Sequence, residues 1–207
     1  MYSKRKGLIL GFHGCDKSLR DKIVSRKGII LKSSDNTYDW LGSGAYFWEN
    51  NYKRALDFAN YLHKNPPHNK KQKIKNPAVL GAVIDIGYCL DLLDSQYLDV
   101  LKIGYNMLLT SKKKFGLEIP KNIPLKENKD LLKRNLDCAV IETIHQFNKD
   151  TEKKPFDSVR GVFFEGEDLY PNAGFKERNH IQIAIRNPNC IKGYFIPREL
   201  NTKYPKT

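Results

Sequence analysis

Polar and apolar positions change rhythm several times along this chain, and each change marks an element. Lys6 to His13, with Leu8-Ile9-Leu10 inside it, predicts a first strand. Asp16 to Lys27 then takes a helical rhythm, with Asp16 placed as the cap and Leu19, Ile23 and Val24 inward. Gly28-Ile29-Ile30-Leu31 and a polar loop, Ser33 to Asp39, lead to a short second strand at 44–48. Asn50 is placed to cap a helix whose Ala55, Phe58, Ala59 and Leu62 share one face. Lys64 to Asn76 holds Pro66-Pro67 and many lysines and reads as surface loop. Pro77 to Leu90 is almost continuously apolar, the pattern of a strand inside a sheet.

Asp94 to Thr110 is helical through Tyr97, Leu98, Leu101, Tyr105 and Leu108. A Pro- and Lys-rich excursion, Ser111 to Asn128, separates it from a second long helix, Lys129 to Asn148, with Leu132, Leu136, Val140, Ile144 and Phe147 on one face. The last third turns to strands. Val159 to Phe164 is apolar and β-branched, and Glu165 to Arg178 is a loop broken by Pro171, Asn172 and Gly174. In His180 to Arg186, Ile181, Ile183 and Ile185 alternate with Gln182, Ala184 and Arg186, so one face is buried; Cys190 to Ile196 is the final strand. No internal repeat and no linker divides the chain, so residues 1–207 read as one domain.

Composition changes this picture in three places. No apolar run approaches bilayer-spanning length, and Leu8-Ile9-Leu10 is too short for a signal-peptide core, so the expectation is a cytoplasmic protein with no membrane contact. Cys15, Cys89, Cys138 and Cys190 are scattered singly, the pattern of buried thiols rather than a zinc site or a disulfide scaffold. The formal net charge is +13. Two readings of that charge stand: a polyanionic partner such as RNA, DNA or an acidic protein, or a solvated lysine-rich surface. The lysine-rich stretches lack the interleaved aromatics that stacking on bare bases requires.

Candidate chemistry concentrates early. His13 follows an apolar strand within Gly11-Phe12-His13-Gly14-Cys15, and Tyr46 stands in Leu41-Gly42-Ser43-Gly44-Ala45-Tyr46-Phe47. A polar ring tip from one strand and an aromatic face from the next, with small residues between, can grip a planar ligand; the flanking glycines suggest an open face above Tyr46. His145 and Glu142, three apart on a helix, read as a helix-surface contact, and no third metal ligand is in view. A dinucleotide-binding Gly-x-Gly-x-x-Gly turn after a first strand is absent.

The histidine strand, the Gly-x-Gly-x-Tyr-Phe strand leading into a helix, and the late alternating strand occur in an order that resembles ADP-ribosyltransferases. The similarity is to the diphtheria-toxin and poly(ADP-ribose) polymerase branch, with its His-Tyr-Glu signature. The resemblance implies an α+β fold in which two small β-sheets, flanked by helices, hold NAD as co-substrate. It implies that His13 bonds a ribose hydroxyl on the adenosine side and that the Gly14 backbone binds the nicotinamide amide. Tyr46 would stack beneath the nicotinamide ring, Phe58 would close its other side, and Ala55 would be the small residue that lets the ring lie flat.

The third signature position departs from the family, because Gln182 stands where the glutamate belongs. A glutamine can hold a ribose hydroxyl but offers no charge to an oxocarbenium-like transition state. Glu165, Glu167 and Glu177 lie close upstream, and Glu165, best anchored at a strand end, ranks first as a replacement carboxylate. The resemblance thus implies transfer of ADP-ribose to a macromolecular acceptor, nucleic acid or protein. By fold-level analogy a bacterial toxin or phage-conflict role would suit such an enzyme, with room for a neutralising partner protein. Two alternatives stay open: NAD hydrolysis with water as acceptor, and an inactive module that binds NAD or ADP-ribosylated targets.

Overall fold

The computed structural model describes residues 7–66, 73–124, 133–199 and 201–204. Its elements are β1 (Ile9–Asp16), α1 (Lys17–Ser25), β2 (Ala45–Glu49), α2 (Tyr52–Lys64), β3 (Pro77–Ile84), β4 (Cys89–Asp91), α3 (Ser95–Lys114), β5 (Asn122–Ile123), β6 (Lys133–Arg134), α4 (Asn135–Asp150), β7 (Ser158–Phe163), β8 (His180–Ile185) and β9 (Ile191–Phe195). The class is α+β. Seven strands form one mixed sheet in the order β4-β7-β8-β2-β1-β3-β9, and β5 and β6 make a separate ribbon. Among the described strands, β4 and β7 are the one parallel pair.

Strand alternation sorts the core. Ile9, Cys15, Phe47, Leu80, Ile84, Ile183 and Ile185 point to one face and pack under Ile23 of α1 and Leu31. On the other face, Phe12, Trp48 and Val79 pack under Ala55 of α2. Beside them Val159, Phe163 and Ala184 pack under Leu108 of α3 and Val140, Ile141 and Ile144 of α4. One face therefore carries α2 next to the α3–α4 pair, with a seam between them.

The join at the middle of the sheet is narrow. β1 pairs with β3 over eight positions, Ile9 to Asp16, but with β2 only at Gly11–Glu49 and Phe12–Trp48. From His13 onward the two strands have no ladder between them. The one sheet thus has two wings, β4-β7-β8-β2 and β1-β3-β9, joined by those two ladder pairs and by the Asn50 N–H bond to the Leu10 carbonyl at 2.9 Å.

Local chemistry fixes the element ends. Asp16 caps α1 by accepting from Ser18 N at 2.9 Å, and its other oxygen accepts from Lys75 N (2.7 Å) and Asn76 N (2.9 Å). These bonds, that to Asn76 first, hold its carboxyl well below the usual range and tie α1 to the start of β3. Asn51, not Asn50, caps α2, accepting from Arg54 N at 3.0 Å; Asn50 instead turns the chain at φ 49°. The apolar run expected as one strand from Pro77 to Leu90 breaks after Ile84. Gly87 sits at φ 61°, and the Asp157 carboxylate accepts from Tyr88 N, so a loop separates β3 from β4. α3 runs past Thr110 to Lys114, and Val24, expected inward, lies at the surface. The first residues expected in the second long helix, before Lys133, lie outside the described residues. Among the described residues no helix is long and apolar enough to cross a membrane.

Candidate functional site

His13 stands where β1 and β2 part. Its Nδ1 lies 2.8 Å from the Tyr46 carbonyl, so the ring spans the gap that the ladder leaves. A carbonyl only accepts, which puts a proton on Nδ1. The ring is edge-on to Phe47, on the α1 face of the sheet. Tyr46 and Gln182 point to the other face, so the three signature positions lie on three adjacent strands but not on one side.

Tyr46 is pinned rather than open. Its phenol donates to the Gly42 carbonyl at 2.6 Å and accepts from Leu41 N at 2.9 Å, and its ring packs with the α3–α4 cluster. Burial pushes the phenol far above its ordinary range, so it is a neutral hydroxyl at any physiological pH. The flanking glycines serve loop docking rather than space above the ring. Gly42 sits at φ +73°, where a Cβ would meet Glu142 Oε1 at 2.5 Å, and a Cβ on Gly44 would meet the Ile185 carbonyl at 3.0 Å. Glu142 closes this loop by accepting from Ser43 N (2.6 Å), Ser43 Oγ (2.9 Å) and Arg186 Nη1 (2.6 Å). Burial opposes its charge, but these bonds outweigh burial and hold its carboxyl below the ordinary range.

Gly14 and Ala55 have a packing role that the sequence did not reveal. A Cβ on Gly14 would lie 2.1 Å from the Ala55 carbonyl oxygen, so the glycine lets α2 rest directly on β1. Ala55 is wholly buried in that contact, and its small side chain is covered by protein. Phe58 packs on Trp48 with ring centroids 5.0 Å apart.

Gln182 lies directly opposite Trp48 in the β2–β8 ladder, and around it is a polar chain in an aromatic wall. Its Nε2 is 3.1 Å from His180 Nε2, while His180 Nδ1 is 2.7 Å from the Arg178 carbonyl and 3.6 Å from Glu165 Oε2. Burial, more than any neighbouring charge, lowers the His180 pKa and keeps its ring neutral. Glu165 is buried and forms an ion pair with Arg54 of α2. Trp40, Trp48 and Phe163 all lie within 6.4 Å of the His180 ring, centroid to centroid. Arg134 covers Trp40 at 4.4 Å, and Arg54 covers Trp48 at 5.6 Å. Trp48 Nε1 and Arg54 Nε are buried donors with no acceptor among the described residues. The seam between α2 and α4 therefore holds those two buried donors without acceptors, aromatic rings packed on one another and one compensated carboxylate.

Of the carboxylates considered, Glu165 alone belongs to this group, since Glu167 and Glu177 are exposed on the loop beyond it. Trp48, Arg54 and His180 escaped sequence reading. His180 did leave a signal: a second polar residue, two before Gln182, on the same face of an alternating strand. All four cysteines are buried, and burial pushes the Cys15 thiol up to about 11, which removes it as a nucleophile at neutral pH. His145 is not a surface partner of Glu142; it is buried edge-on to Phe156, and burial lowers its pKa to about 4. No three His, Cys, Asp or Glu side chains gather as a metal site among the described residues.

No protein-family model matches the chain. The chain is 27% identical over 200 residues to Uncharacterized protein MJ0359 of Methanocaldococcus jannaschii, a match covering 87% of this chain and 83% of that protein. No solved structure matches.

Proposed function

We propose that this protein is an NAD-dependent ADP-ribosyltransferase with an ADP-ribosyltransferase-like split sheet, and that its acceptor is a macromolecule. The observation that carries the reading is the parting of β1 from β2 at His13, beside Tyr46, with β8 and Gln182 on the next strand. A split at that point is what a dinucleotide held between two sheet wings requires. On the α2 face of the sheet, the N–H groups of Trp48 and Arg54 are buried without acceptors among the described residues; uncovered by a ligand, they would suit carboxamide or phosphate oxygens, and the Trp48 ring would suit a planar ring. The bond to be broken joins nicotinamide to ribose; nicotinamide leaves with the electron pair, and an acceptor nucleophile that loses a proton takes the ribose.

Glu165 is the carboxylate best placed to support positive charge on that ribose. It reaches the site from the loop after β7, behind His180, rather than from the β8 position that Gln182 occupies. Its charge is already shared with Arg54, so an anionic group that drew Arg54 away would release it. The net charge of +13 favours nucleic acid as acceptor.

One observation favours a second reading. Glu165 is compensated and Gln182 is neutral, so the site as it stands offers no uncompensated charge to a cation, which suits an inactive NAD-binding module. Incubation with NAD, followed by chromatography of nicotinamide, separates the readings when run with and without total RNA, DNA and cell lysate. Release that depends on one macromolecule supports transfer and gives its acceptor class. Release in buffer alone means hydrolysis. Bound NAD without release overturns transfer in favour of the module.

A further inference from the structure

The His180–Gln182 contact constrains more than packing. The Arg178 carbonyl, 2.7 Å from His180 Nδ1, can only accept, and the Glu165 carboxylate lies 3.6 Å from the same nitrogen. The proton must therefore sit on Nδ1, and Nε2 carries a lone pair. Gln182 meets that lone pair at 3.1 Å, so it must present its NH₂ group to the ring. The amide oxygen is then turned away from His180. Gln182 is half-buried, and its side chain makes no other hydrogen bond among the described residues.

We infer that His180 is a positioning residue: it fixes the flip of the Gln182 amide so that the oxygen is presented to a hydroxyl or N–H donor of the ligand. The ligand end of this inference rests on the NAD reading, where the donor is a ribose hydroxyl; the orientation of the amide stands without it. A freely rotating glutamine would offer NH₂ and oxygen alternately, and would recognise a donor poorly. Held this way, Gln182 presents the same acceptor that a glutamate would, without its charge.

The same geometry explains why glutamine and not glutamate suits this position. A carboxylate at 182 would face the His180 lone pair with its own, which is repulsive unless the ring takes a second proton. Burial opposes a positive ring most and Arg54 and Arg134 oppose it further, while the Arg178 carbonyl, which holds the Nδ1 proton, and Glu165 favour it. In Gln182→Glu the new carboxyl and Nε2 can coexist only by sharing a proton, which the glutamine does not need.

The test is long-range ¹H–¹⁵N spectroscopy of the full chain labelled in histidine, at neutral pH, with no ligand. In the unchanged protein His180 is expected neutral with its proton on Nδ1; in Gln182→Glu the Nδ1 proton should stay, and Nε2 should share a proton with the new carboxyl. A proton on Nε2 in the unchanged protein, or a Gln182→Glu ring without a proton on Nδ1, overturns the inference. A second measurement uses ADP-ribose as the probe. His180→Phe, which keeps a ring but loses the acceptor, should weaken ADP-ribose binding roughly two- to tenfold, the effect of one hydrogen bond. Unchanged affinity in His180→Phe would overturn the positioning role. If ADP-ribose fails to bind even the unchanged protein, the NAD reading falls, and the spectra alone decide the orientation of Gln182.

Discussion

Gly14 separates two explanations of one small residue. The sequence suggests that it lets a ligand approach the backbone; the fold uses it to seat α2 on β1. Gly14→Ala places a methyl group 2.1 Å from the Ala55 carbonyl oxygen, 3.1 Å from its carbon and 3.2 Å from Ala59 N. These are backbone atoms of a helix, so no rotamer change relieves the contact. α2 must move off the sheet by about 1 Å, which disturbs its packing on Phe12, Trp48 and Val79. Overpacking of this kind typically costs ~1–3 kcal/mol, and a backbone clash belongs at the upper end. Against a total stability of ~5–15 kcal/mol, that is a large fraction. In a chain of this size it corresponds to a Tm lowered by roughly 6–12 °C. Thermal and urea unfolding measure it, with Gly174→Ala as the control, since a Cβ there meets nothing within 4 Å. A Gly14→Ala protein as stable as the unchanged chain would refute the packing explanation. If it also lost NAD binding, the glycine would be serving the ligand.

Two further outcomes follow from buried groups. His145 is held neutral, with a pKa of about 4 against 6.5 in the unfolded chain. Between those values the unfolded state binds the extra proton, so stability is lost as pH falls from 6.5 toward 4 and no further below it. The loss at pH 5 relative to pH 7 should be about 2 kcal/mol, and urea titrations of His145→Leu should lack that component. Arg54→Gln leaves Glu165 buried without its cation, which costs on the order of 3–5 kcal/mol in urea unfolding. The double change Arg54→Gln, Glu165→Gln should restore much of that loss, and a single variant with unaltered stability would show that the pair bears no weight.

Local pattern carried the elements further than it carried the site. The alternation in His180 to Ile185 and the helical spacing around Leu136, Val140 and Ile144 were legible because burial imposes those periods directly. Asp16 as a cap was legible for the same reason: its partner Ser18 is two residues away. What could not be read depends on residues far apart in the chain. The loop that divides β3 from β4 is stabilised by Asp157, and the cap moves to Asn51 because Asn50 N bonds the Leu10 carbonyl. The glycines around Tyr46 looked like room for a ligand, but Glu142 and Arg186, 99 and 143 residues beyond Ser43, use that room to clamp the loop. Arg54 and Glu165 lie 111 residues apart, and nothing local announces either as the other's partner. Trp48 read as part of a strand pattern, and only the β2–β8 register puts it opposite Gln182.

If NAD seats where β1 and β2 part, as we propose, amide hydrogen exchange with and without NAD will register it. Exchange should slow in the His13–Cys15 and Gly42–Phe47 segments, and that protection should be lost in His13→Ala while the exchange of α3 and α4 stays unchanged. NAD at millimolar concentration that leaves both segments unaffected, or protects another part of the fold instead, would contradict it.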